Sequence, residues 1–205
     1  MARNISDVSD SYLNCLSSIE NNISVLYNTL ADRVTLSSVK LILYGVAAGC
    51  QRNSTILKGF GKDVEEPAVK SKERDEELAD VFDAAYDFYK KVTEKEAIAA
   101  AELRALAGQL VALEGMLGEK YLFVHSKISK LVLHESVRLL HGLDLDKLGL
   151  MFDRLMCTGE ERHKLLVSVK TLAEEKASEE KKSASDGFIV LSPVLDQVAT
   201  PYCGK

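Results

Sequence analysis

NCLSSIENNISVLYNTL (residues 14–30) and GQLVALEGMLGEKYLFV (residues 108–124) decide the fold of this chain. Each carries apolar residues three and four apart, the spacing of one buried helix face. Each also places a glutamate seven residues before a tyrosine, Glu20 before Tyr27 and Glu114 before Tyr121. The glutamates fall inside the apolar rows: Leu16, Glu20, Ile23, Tyr27, Leu30 in the first stretch, and Leu110, Glu114, Leu117, Tyr121, Val124 in the second. Carboxylates on such faces repel one another and lose water, a cost that a bound cation would compensate. The repeat implies two helices of common design, one in each half of the chain.

Working outward, the periodicity predicts a first helix over about 8–32, a turn at 32–37, and a second helix over about 37–58 ending near Gly59 and Gly61. Residues 62–76, KDVEEPAVKSKERDE, are charged and contain Pro67, which reads as a linker. Leu78, Val81, Phe82, Ala85 and Phe88 mark an extra helix over 77–91. A helix over about 94–125 has Leu103, Leu106, Leu110, Leu113 and Leu117 as its stripe, and residues 126–141 continue its period. After a break at 142–146, the last helix is expected over about 146–178. The expectation is an all-α chain with one helical-bundle domain over 1–180 and a C-terminal tail over 181–205, loosely ordered or packed on the bundle. FIVLSPVL in that tail reads as strand-like.

Composition bounds the function. With 46% apolar residues, the 205-residue chain has enough to bury a core. The net charge of -5 is interleaved along the sequence, so nucleic acid is not expected as a partner. The longest apolar run, residues 41–50, is about half of what spans a bilayer, so no membrane is expected either. The N-terminus lacks a signal-peptide core and the four cysteines are scattered, which together predict a cytoplasmic protein with free thiols. No phosphate-binding glycine loop or nucleophile motif is present.

The second helix of each half carries a polar pair three residues apart. In the last helix it is Glu160 and His163, expected to face inward in the row Phe152, Met156, Glu160, His163, Leu166; in the second helix it is Gln51 and Ser54. A shift of 94 residues superposes Glu20 and Tyr27 on Glu114 and Tyr121, and a shift of 109 superposes QRNSTIL (51–57) on EERHKLL (160–166). The second half thus holds about 15 more residues between its helices, placed within 126–145.

Two helical hairpins, each offering a glutamate and then a second polar pair, resemble the ferritin-like di-iron carboxylate proteins, particularly the rubrerythrin type. The resemblance covers roughly residues 10–175. It implies an up-down-down-up four-helix bundle with a long crossover containing the extra helix. It also implies two metals held by a Glu from the first helix of each half and a Glu-x-x-His from the second.

Carried over by position, Glu20, Glu114, Glu160 and His163 match the ligands, whereas Gln51 and Ser54 do not. What remains is a partial site for one ion of Fe, Mn or Zn, with metal binding or oxidative-stress chemistry as its role. The alternative is a metal-free scaffold acting as an interaction or oligomerisation module, including a homodimer formed through its apolar rows. The sequence around Glu160 and His163, GEERH, equally suits a solvated helix face.

Overall fold

The computed structural model describes residues 5–60, 76–134 and 145–195. It is all-helical: α1 (Ile5–Arg33), α2 (Ser37–Phe60), α3 (Glu76–Thr93), α4 (Ala100–His134) and α5 (Leu145–Leu195), with no strand among the described residues. The expected rows of α1 and α4 are buried in full, from Leu16 to Leu30 and from Leu110 to Val124. These helices form because their apolar residues complete one face that packing can cover.

α1 packs chiefly on α2, and α4 on α5; α3 lies along α1 and also touches α4. The α1–α2 hairpin is antiparallel, with Ser17 bonded to Ser54, Ser24 to the Ala47 carbonyl, and Asp32 to Tyr44. α4 and α5 are also antiparallel, since Glu114 meets Arg162 while His125 meets Phe152. Between the hairpins, α2 packs on α5. Gly49 faces Arg162 there, and a Cβ at this position would lie in ordinary contact, 3.5 Å from the Arg162 Cδ.

The passage from α3 to α4 differs from expectation. α4 starts at Ala100, and residues 94–99 lie outside both helices. The cause is a tie to the end of α1. The Ile98 N–H donates to the Arg33 carbonyl at 2.9 Å, forming an isolated parallel bridge between Val34 and Ile98. The Arg33 guanidinium donates to the carbonyls of Val92, Thr93 and Lys95, at and just past the end of α3.

At the other boundaries, α2 continues through Gly59 to Phe60, and no described residue has the positive φ of a glycine cap. The expected linker at 62–76 lies outside the described residues except for Glu76, as do residues 142–144 of the expected break, whereas Leu145 and Asp146 already belong to α5. α5 does not stop near 178 but runs to Leu195, so FIVLSPVL is helical, not strand-like. Its 51 residues correspond to about 76 Å of helix. The buried row of α5 ends at Ala177, and residues 178–183 are all exposed. Glu and Lys in this stretch keep it helical without a packed face, one such pair being Lys176 with Glu179. No described helix is long and apolar enough to cross a membrane.

Replacing Arg33 by Ala removes three charge-assisted hydrogen bonds to carbonyls at once. The expected loss is about 1–3 kcal/mol, read as a lower urea midpoint with an unchanged slope.

Candidate functional site

Glu20 and Glu114 meet in the middle of the bundle, as their rows require, and both are buried. The group between them is Arg162, 2% exposed and the largest of the fully buried side chains. Its Nη1 donates to Glu20 Oε1 at 3.0 Å and to Oε2 at 2.8 Å. Its Nη2 forms an ion pair with Glu114 Oε2 at 3.0 Å. One guanidinium from α5 thus joins carboxylates on α1 and α4.

The two tyrosines complete the centre in a crossed arrangement. Tyr27 of the first hairpin donates to Glu114 Oε1 of the second at 2.8 Å, while Tyr121 of the second donates to Glu20 Oε1 of the first. The Glu and Tyr repeated in each half are therefore reciprocal: each half supplies the hydroxyl that the other half's carboxylate accepts. α2 adds Asn53, whose Nδ2 donates to Glu20 Oε1 at 2.9 Å. It also adds the Cys50 Sγ, 3.0 Å from Arg162 Nη1. All four long helices contribute a polar side chain to one buried cluster.

The electrostatics follow from burial and from the short distances. Burial alone would lower the Arg162 pKa, but the charges of Glu20 and Glu114 outweigh it and hold the guanidinium well above its ordinary value. Glu114 is raised, because burial and the Glu20 charge outweigh the pull of Arg162 and the Tyr27 hydrogen bond. Burial, reinforced by Glu114, pushes the Tyr27 hydroxyl well up. Burial, reinforced by Glu20, does the same to the Cys50 thiol. Both therefore stay protonated and act as donors or neutral packing, not as nucleophiles.

Glu160 and His163 are placed differently from expectation: both are exposed. The buried row of α5 runs through Leu155, Arg162, Leu166, Val169 and Ala173, so the residue between Glu161 and His163 is the one turned inward. α2 is rotated in the same sense. Gln51 is exposed, Asn53 and Ser54 are buried, and Ser54 bonds Ser17 at 2.9 Å. The shift of 109 that relates the hairpins also superposes Asn53 on Arg162, and these two residues both reach Glu20. Of the four residues expected inward on the second helices, Ser54 is buried, whereas Gln51, Glu160 and His163 are exposed.

Glu160 and His163 line a surface cleft of about 260 Å³ between α4 and α5, with Glu114, Gly115, Gly118, Tyr121, Met156, Gly159 and Lys164. The structure thus brings Glu114, Glu160 and His163 to one cleft and leaves Glu20 on the far side of Arg162. Among the described residues, no group of three His, Cys, Asp or Glu side chains converges as a ligand set. The residues present do not fit the metal centre that the resemblance implies, because a side-chain cation stands between the two central carboxylates. Cys15, Cys50 and Cys157 form no disulfide. Compared with protein-family models, curated proteins and solved structures, the chain matches none.

Replacing Arg162 by Leu leaves two buried carboxylates without counter-charge, and about 3–5 kcal/mol of stability is expected to be lost. Replacing Glu20, Glu114 and Arg162 together by Leu, Leu and Met should recover most of that loss. Urea unfolding of the two variants beside the parent protein measures both.

Proposed function

We propose that this chain is a metal-free bundle of ferritin-like topology that acts as an interaction or oligomerisation module. The antiparallel relation of α1 to α2 and of α4 to α5, with Tyr27 against Glu114 and Tyr121 against Glu20, supports an up-down-down-up order for the four long helices. α3 then belongs to the long crossover between the hairpins. The observation that carries the functional reading is Arg162, whose guanidinium supplies between Glu20 and Glu114 the positive charge that a metal would otherwise supply. With this cation covalently held, the centre ties the helices together.

The continuation of α5 past Ala177 supports a binding role on the outside of the bundle. The competing reading is one Fe, Mn or Zn ion held by Glu114, Glu160 and His163 with help from Glu20. It draws on the shared cleft of the first three residues.

Protein purified without chelator or affinity-tag metal separates the two readings by elemental analysis. The metal-free reading expects less than about a tenth of an equivalent of Fe, Mn or Zn, with no rise in melting temperature on adding any of them. A stoichiometric ion lost on His163→Ala substitution would sink it. Light scattering on the same sample is expected to give a mass above that of one 22.5 kDa chain; a strict monomer at all concentrations would remove the self-association form of the proposal.

A further inference from the structure

We infer that the far end of α5 pairs antiparallel with α5 of a second copy of this chain, the two helices being related by a twofold axis at Ser178. The inference rests on the reading of the chain as an interaction module and names the partner.

α5 outruns the bundle. Its bundle-facing row, Leu166, Val169, Ala173 and Ala177, is buried, whereas residues 178–183 are all exposed. From Ser178 to Leu195 the helix adds about 27 Å beyond that row. At about 100° per residue, Glu174, Glu175, Ser178 and Lys182 fall on the side of α5 turned away from the row, with Lys181 at the edge of that side. All five are exposed. The same side is uncovered farther back, where Lys164, Val167, Ser168 and Thr171 are exposed. A partner helix can lie along it without displacing the bundle.

The order of the charges selects the partner. Residues 174–182 read EEKASEEKK. Glu175 has Thr171, Leu172, Ser178 and Glu179 at the positions three and four away, and Lys181 has Ala177, Ser178, Ala184 and Ser185. Neither meets an opposite charge at the spacing where pairs form along one helix, unlike Lys176, which pairs with Glu179 at 3.1 Å. Glu175 and Lys181 stand equally far from Ser178, one on each side.

Half a turn about an axis through Ser178 brings the acidic turn of each helix level with the basic turn of the other. The rotation keeps every side chain on its own flank of the contact, so Glu174 meets Lys181 of the second copy and Glu175 meets Lys182 of the second copy. Each pair occurs twice. Parallel pairing in the same register would set Glu on Glu and Lys on Lys, and is opposed by like charge. Ser178 at the axis is small, and its hydroxyl is bonded back to the Glu174 carbonyl at 2.8 Å, so it adds no bulk between the backbones. Exposed ion pairs are screened by salt, which makes the contact sensitive to ionic strength.

Sedimentation equilibrium of the full chain tests this, beside three variants: Glu174→Lys with Glu175→Lys, Lys181→Glu with Lys182→Glu, and all four substitutions together. The substituted side chains are exposed, and circular dichroism checks that each variant folds. The parent is expected to form dimers of the 22.5 kDa chain, with a dissociation constant that rises about tenfold or more when salt is raised from about 0.05 M to about 0.5 M. Either two-residue reversal turns attraction into repulsion and should weaken pairing about a hundredfold. Mixing the two reversed variants should restore it, and the four-residue exchange, which keeps the match only for antiparallel helices, should return to within about threefold of the parent. A dimeric parent indifferent to both reversals, or an exchange variant that does not recover, overturns the inference and leaves self-association through another surface standing. A parent monomeric at every concentration overturns self-association altogether. The salt response of the parent is read without any variant.

Discussion

The guanidinium of Arg162 is the constraint on which the rest of the centre depends. Two glutamates placed inside apolar helix rows would drive the hairpins apart if nothing opposed their charge, because each loses its hydration on packing. Arg162 answers both at once, with two bonds to Glu20 and an ion pair to Glu114. Arginine suits this position better than lysine, since its planar fork reaches two acceptors in fixed directions and keeps its charge when buried.

Around this cation the two halves are equivalent in one respect and unequal in another. The crossed bonds from Tyr27 to Glu114 and from Tyr121 to Glu20 obey a pseudo-twofold relation between hairpins. The second helices break it: at matching positions, Asn53 offers an amide and Arg162 a charge. The asymmetry concentrates bonding on Glu20 and leaves Glu114 the weaker partner.

Much of this was legible in the sequence. The rows of α1 and α4 are unambiguous, since Leu and Ile dominate them and each holds one glutamate and one tyrosine; all of these residues are buried. The second helices misled because two polar faces compete there. In α5, the row through Glu160 and His163 draws on Phe152, Met156 and Leu166, but it mixes two adjacent faces of the helix. The row through Leu155, Arg162, Leu166, Val169 and Ala173 is longer and was marked by a single intruding charge, the same kind of signal that singled out Glu20. The true end of α5 was missed because the sequence between Ala177 and Phe188, SEEKKSASDG, offers almost no apolar residue to carry the helical period.

The shared arginine also restricts how such a chain can change. Neither carboxylate can be lost without altering what Arg162 must balance, and Arg162 cannot be lost without stranding both carboxylates. Each tyrosine answers to a residue in the opposite half. A route from this centre to a fully apolar core, or to one built around a different cation, passes through intermediates that bury an unmatched charge. The polar centre is therefore held in place by the scarcity of tolerable single steps as much as by the stability it confers.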